Sequence, residues 1–319
     1  MDSTLVRRWL GQLPTIRGLT KESAWGTMTP QVPESAMSWT TIFSGFKWEN
    51  HGVTKLGEQN MTVDSRVPLF WQYLSQAGTS VGVYRVPCTY PPETLNGWMF
   101  SGWTAPYPAV NPNKEEYYEY LVDTVPAARV KTIYQTGEAV KLHVECFEDE
   151  VGKARKLFTE HPVDVGIVFW NIIDKLGHNA WERQWDREEA RKDRVRWYKR
   201  VDKEIGKLIK TLNPENIVIC SDHGFNSRKD SDTVWVPRPE LEVMEAWHTH
   251  EGFWLLKGEH VVPQELEITN LDILPTVLRT LLLHTTLTLD GKAADVLDFA
   301  YTPEEEALVD AKLKGLGYK

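Results

Sequence analysis

The chain has 319 residues, 41% of them hydrophobic, and a formal net charge of −9. This length can bury one large core or two small ones, and the acidic balance excludes the broad basic footprint of a nucleic-acid binder. The three cysteines, Cys88, Cys146 and Cys220, show no CxxC spacing, which excludes a disulfide framework and points to a reducing compartment.

The opening stretch MDSTLVRRWLGQLP lacks the long apolar run of a signal peptide. No segment approaches the roughly 18 uninterrupted apolar residues of a membrane span. The expectation is a cytoplasmic protein with no membrane contact and no stable nucleic-acid complex. An acidic chain still binds small anionic substrates where metal ions supply local positive charge.

In chain order, PESAMSWTTIFSGFKWENHGV comes first, with hydroxyls at Ser35, Ser38, Thr40, Thr41 and Ser44. Helix capping and packing explain such a segment. A serine nucleophile activated by a metal is the chemical alternative. From about 88 to 150 the chain is rich in Pro, Tyr and Gly, and reads as a loop-rich insertion over one end of a sheet. Such insertions often shape substrate pockets. Its Tyr90, Trp98, Trp103 and Tyr107 either stack on a ligand or pack.

Val163 to Ile173 (VDVGIVFWNII) is an apolar, β-branched run that suits a buried parallel strand. From about Trp185 to Leu212, Val195, Tyr198, Val201, Ile205, Leu208 and Ile209 recur at helical spacing, and Asn213-Pro214 ends the helix. Asn216 to Cys220 and Gly252 to Leu256 read as two more buried strands. Asp272 to Leu283 reads as a helix with Pro275 in its first turn. Strands alternating with helices imply a layered α/β fold with a largely parallel sheet.

Three acid or histidine elements lie at the edges of these strands. Asp174 and His178 follow the first, in FWNIIDKLGHNAW. Asp222-His223 follows the second, in NIVICSDHGF, with Gly224 permitting a tight turn. His248 and His250 precede the third, in AWHTHEGFWLLKG. Ligands bind beyond strand ends in open α/β sheets, and carboxylate plus imidazole suits zinc or manganese. Taken singly, each element reads equally as a cap, a turn or a surface histidine. Their joint recurrence, in a chain with nine histidines, points to a metal site.

Together these segments resemble the alkaline phosphatase superfamily, and within it the type I phosphodiesterase/nucleotide pyrophosphatase branch. DKLGH is similar to the family's DxxGH motif and SDHGF to its SDHG motif. WHTHEG is similar to its HxxxG segment, which selects His248 over His250. The stretch ending in SGF and ENHG is similar to the segment in which the nucleophile opens a helix, and counting back from Gly45 puts the nucleophile at Ser35. TNLDILPTVLRTLLL, LDGKAADVL and the closing YTPEEEALVDAKLKGLGYK also match. The CxPSR motif of sulfatases is absent from the sequence, favouring a phosphate over a sulfate ester.

The resemblance implies an alkaline phosphatase-like three-layer αβα sandwich, one catalytic domain over 1–319. It implies two divalent metal ions, zinc or manganese. Asp174, His178 and His248 would hold one; Asp222, His223 and the Ser35 oxygen would hold the other. The implied activity is hydrolysis of a small phosphorylated substrate, a diester or nucleotide pyrophosphate rather than a monoester, through a phosphoseryl intermediate. The chain departs from the pattern at its start: the family's first strand and the metal-binding aspartate that ends it are missing, as in a truncated gene product or a misassigned start, and Asp2 is a poor substitute. A catalytically impaired member that only binds a phosphorylated ligand or a partner is therefore one alternative. A phosphomutase or phosphotransferase is another, although such relatives carry larger insertions.

Overall fold

The computed structural model describes residues 1–54, 63–64, 66–122, 137–181, 187–227, 246–283, 285 and 287–298. The sequence match at 301–319 and the start of the helix read from 185 lie outside these residues.

Among the described residues, the α/β architecture is built on two half-sheets. The first contains β1 (Ala24–Thr29), β6 (Ile217–Cys220), β9 (Gly252–Lys257) and the short β10 (Gln264–Glu265) and β11 (Ile268–Thr269). Its order is β10-β1-β9-β6, with β11 also on β1; β9 runs antiparallel to both neighbours. The second contains β2 (Val81–Tyr84), β3 (Gly97–Phe100), β4 (Val110–Asn111) and β5 (Val165–Val168), in the order β4-β3-β2-β5. There β2 pairs parallel with both β3 and β5. A two-stranded ribbon, β7 (Gly224–Ser227) with β8 (Ala246–Thr249), stands beside them.

Local chemistry explains the helices. Helix α1 (Ser3–Trp9) is capped by Asp2, whose carboxylate accepts from the Leu5 N–H, and carries Arg7 and Arg8 in its last turn. Helix α2 (Pro14–Leu19) has Pro at its first position. Helix α3 (Ser35–Ser44) is capped by Glu34 and closed by Gly45 at φ 70°, where a side chain would be strained. Short α4 (Trp48–His51) and α5 (Phe70–Gln76) follow. Helix α6 is Gly137–Glu160 and α7 is Ile172–Leu176, which runs on into a wider turn at Gly177–Trp181. Helix α8 (Glu188–Leu212) has Glu188 and Glu189 in its first turn and Lys210 in its last, and Asn213 ends it in the left-handed region. Helix α9 is Ile273–Thr280.

The helices cover opposite sides of the sheets. Leu5, Val6 and Leu13 of the N-terminal segment pack with Phe147, Tyr198 and Leu255. Trp39, Ile42, Leu274 and Val277 pack on the other side, against Ala24, Met28 and Leu256.

The segment from 88 to 150 is less irregular than its composition predicts. Gly97–Phe100 is the central strand β3, with Trp98 buried against Phe158. From residue 137 the segment is already helix. Four-residue strands buried by neighbours on both faces leave no alternation in sequence. Tyr90 and Tyr107 are the exposed pair, edge to face and joined through their hydroxyls.

Candidate metal centre

Asp174 and Asp222 follow strands β5 and β6, and His248 lies within β8 just before β9. Strand β5 leads through Phe169–Asn171 into α7, which carries Asp174; His178 follows one turn on. Strand β6 leads into Asp222-His223, and the β7–β8 ribbon returns the chain to His248. Helix α3 brings Ser35 from the other side.

The six predicted residues converge. His248 Nε2 lies 3.0 Å and His178 Nε2 3.3 Å from Asp174 Oδ1, and the two imidazole nitrogens are 2.9 Å apart. The His223 and His248 rings stack at 3.7 Å. Ser35 Oγ and Asp222 Oδ2 each lie 3.2 Å from His223 Nε2. Asp174, His223 and His248 have ligand atoms all within 4.8 Å of one another. That triad takes one member, His223, from the set expected to hold the other metal, so the two expected sites are contiguous.

Backbone carbonyls set the imidazole tautomers. His248 Nδ1 donates to Pro33 O at 2.8 Å and His223 Nδ1 to Gly224 O at 3.0 Å. A carbonyl only accepts, so the proton sits on Nδ1 and the Nε2 lone pairs face inward, the usual arrangement for metal-binding histidines. His250, the rejected candidate, donates to Pro30 O and stays outside the cluster.

The two carboxylates differ. Burial pushes Asp174 up, but the charges of His178 and His248 outweigh it and hold the carboxyl well below its usual range. Burial raises Asp222 to about 6, opposed by the Ser35 hydroxyl and reinforced by the Asp174 charge. Burial, and then the His248 charge, push His223 well below the ordinary histidine range, keeping it neutral.

These groups fit a cation. Asp174 Oδ1 and the Nε2 atoms of His178 and His248 lie within 3.3 Å of one another, a spacing that a bound cation or a proton on an imidazole satisfies. Asp222 Oδ2 is buried with no hydrogen-bond donor; its closeness to His223 Nε2 is a distance without hydrogen-bond geometry. An ionised carboxylate and neutral imidazoles are the states a dication needs.

Asp2 does not join the cluster. Its carboxylate is spent on the Leu5 N–H and on Thr249 Oγ1, 3.0 Å away, and burial raises it to about 7.

Glycines let the ligand loops close. A Cβ on Gly177 would come within 2.8 Å of the Phe225 ring, and one on Gly224 within 2.3 Å of Thr249 Oγ1 and 2.4 Å of Asp2 Oδ2. The demand at Gly224 is therefore for space rather than for an unusual backbone angle. Supporting contacts that sequence reasoning missed include Ser38 Oγ, which donates to Asp222 O at 2.7 Å and accepts from Asn270 Nδ2. Lys175 Nζ sits 4.0 Å over the Trp103 ring. Only the position of Ser38 one turn after Ser35 hinted at its role.

This fold is the alkaline phosphatase-like one. Residues 1–267 match the model of the type I phosphodiesterase/nucleotide pyrophosphatase family, and the chain belongs to that family. Among solved structures, it resembles human ectonucleotide pyrophosphatase/phosphodiesterase 5, with a TM-score of 0.58 and 13% identity over 90% of this chain and 95% of that one. An inactive form of the murine protein in complex with AMP gives 0.58 and 14% over 88% and 92%. A phosphonate monoester hydrolase from Silicibacter pomeroyi gives 0.56 and 11% over 95% and 76%. No curated protein matches the sequence closely enough to count as a relative. The family and fold make this chain a phosphoesterase of the alkaline phosphatase superfamily.

Proposed function

We propose that this phosphoesterase is a metal-dependent hydrolase of phosphodiesters or nucleotide pyrophosphates, working through a phosphoseryl intermediate on Ser35. The observation that carries the reading is Ser35 Oγ at the first position of α3, 3.2 Å from His223 and facing the carboxylate–imidazole cluster. AMP bound to the murine structural neighbour supports a small nucleotide-like ligand.

Asp174, His178 and His248 would hold one divalent ion; Asp222, His223 and Ser35 Oγ would hold a second, zinc or manganese in each case. Bound ions would neutralise the phosphoryl charge and favour the alkoxide of Ser35. Ser35 Oγ attacks phosphorus in line, the P–O bond to the leaving group breaks, and the leaving oxygen takes up a proton. Water then breaks the Oγ–P bond and restores the serine. The N-terminus of α3 faces the same space, and its N–H groups and dipole favour the phosphoryl oxygens.

One observation favours a second reading, a member that binds a phosphorylated ligand without turnover. The Asp2 carboxylate is spent on capping α1, so among the described residues the Asp222 side has one carboxylate only. Losing even outer-shell partners costs about 10–100-fold in metal affinity. Metal analysis of the purified chain, together with turnover of bis-nitrophenyl phosphate, separates the two. Two ions per chain with turnover support the hydrolase. One ion or none, without turnover, overturns it.

A further inference from the structure

The linker between β1 and α3 carries Ser35 to the cluster, and its sequence, Pro30-Gln31-Val32-Pro33-Glu34, leaves few groups by which it can be held. Proline has no N–H, so only Gln31, Val32 and Glu34 can donate. The Glu34 N–H turns back to Val32 O at 2.8 Å. The Gln31 N–H goes to Oδ1 of Asn270 at 3.3 Å. Two linker carbonyls are held by histidines: Pro33 O accepts from His248 Nδ1 and Pro30 O from His250 Nδ1. His250, outside the metal cluster, therefore grips the same linker that the ligand His248 does.

Asn270 also reaches past Ser35. Its Nδ2 donates to Ser38 Oγ at 3.1 Å, and Ser38 Oγ donates to Asp222 O at 2.7 Å. Chemistry fixes these directions. A carbonyl only accepts, so the single Ser38 hydroxyl proton goes to Asp222 O, and the Ser38 oxygen accepts from the Asn270 N–H. A backbone N–H only donates, so the atom facing Gln31 is Oδ1. Asn270 thus binds the chain on both sides of Ser35, four residues before it and three after. Asn270 and Ser38 are both buried, where a bond left unmade is not replaced by water. The anchor is itself tied down. Ile268 and Thr269 of β11 pair with Met28 and Thr29 of β1, and the Asn270 N–H donates to Thr29 O at 3.2 Å. The Asp272 carboxylate accepts from the Thr269 N–H at 2.8 Å and from its hydroxyl at 2.7 Å, fixing the turn into α9.

We propose that Asn270 is a positioning residue for the nucleophile. Its carboxamide clasps residues 31–38, so that Ser35 Oγ stands beside His223 while Ser38 ties the same segment to the backbone of Asp222. The proposal rests on the reading of Ser35 as nucleophile. The Asn270 amide reaches Gln31 and Ser38 rather than a metal-ligating side chain, so it acts on alignment and not on metal or substrate affinity. Misplacing a reacting group by about 1 Å can cost about 10²-fold in rate.

The test compares Asn270→Leu, which keeps the size and removes both bonds, and Ser38→Ala with the parent chain on bis-nitrophenyl phosphate. Each variant is expected to lower kcat at least about tenfold, with KM and metal affinity changed less than about threefold. The double variant should lose little more than the worse single one, because both changes break one chain of bonds. Thr276→Val is the control for destabilisation: it removes a buried hydroxyl of α9 that bonds Asp272 O and the Ala294 N–H. It should lower Tm and leave kcat within about twofold of the parent. Amide hydrogen exchange supplies a readout that needs no turnover. Asn270→Leu should speed exchange at Gln31 and Ser38 at least about tenfold while Gly252–Lys257 keeps its protection. Equal loss of kcat in Thr276→Val at equal Tm overturns the proposal. So does a loss carried by KM or metal affinity, fully additive losses in the double variant, or unchanged exchange at Gln31. A parent chain without turnover overturns the hydrolase reading instead, and unchanged exchange at Gln31 and Ser38 would still overturn this one.

Discussion

Asp174 and Asp222 are the same residue type, each a few positions past an apolar strand, and they sit in one cluster, Asp222 buried and Asp174 half-buried. Their chemistry is opposite. Asp174 faces two imidazoles and is held well below its usual range, while burial, against the pull of the Ser35 hydroxyl, raises Asp222 to about 6. Asp174 therefore has a partial substitute for a cation in its histidines. On Asp222 the Met1 amino group and His248 act more weakly than burial does, and among the described residues its Oδ2 is without a donor. The difference teaches that the Asp222 side, with Ser35 beside it, depends more on a bound ion.

The largest effect expected is at Ser35. Ser35→Ala should lower turnover of a phosphodiester by at least about 10³-fold, as loss of a nucleophile does, with calorimetric metal binding reduced on the Asp222 side only. Turnover within threefold of the parent would remove Ser35 from the mechanism. Next, Asp174→Asn should weaken binding of the tighter ion at least about 100-fold, measured by competition with a chelator. Affinity unchanged in that variant would break the assignment of this side as the complete one.

The pH dependence separates the carboxylates most directly. Asp222 has a folded pKa raised from 3.8 to about 6, so the metal-free fold binds its proton more tightly than the unfolded chain. Stability from this group is present below about pH 4 and is lost as pH rises through about 6. Asp222→Asn should thus stabilise the metal-free protein at pH 7.5 by about 1–3 kcal/mol, with the gain vanishing near pH 4. Asp174 has the opposite sign: its contribution is present above the unfolded pKa and is lost as acid reaches the depressed folded value. Asp174→Asn should destabilise the metal-free protein at pH 7.5, and thermal melts across pH 4–8 that moved the two variants alike would contradict the comparison. The smallest effect is at the contact between the two ligand loops. Gly177→Ala places a methyl against Phe225 and should cost about 1–3 kcal/mol in denaturant unfolding, and no cost would mean that the loops do not close as described.

Much of this was legible in sequence, for identifiable reasons. Val165–Val168, Ile217–Cys220 and Gly252–Lys257 were readable as strands because their apolar runs are bounded by polar residues. The helix ending at Leu212 was readable because it is long enough for its 3.6-residue period to repeat. Strand β1, AWGTMT, and strand β3, GWMF, were not readable. Each is short, has a glycine and no β-branched run, and owes its conformation to the neighbours on either side. Ser35 emerged only through the spacing to Gly45, since a serine near a helix start is ordinarily a cap; here Glu34 takes the capping role and leaves Ser35 facing the cluster.

The sequence by itself determined the ligand types and their attachment to strand ends, because a DxxGH and an SDHG segment place donors within a few residues of an apolar run. Tertiary structure alone decided that Asp174, His223 and His248 meet, that Pro33 and Gly224 carbonyls turn both imidazoles inward, and that two like aspartates titrate in opposite directions. Those outcomes depend on distances between residues far apart in the chain and on the burial that packing imposes, and neither is encoded in local spacing.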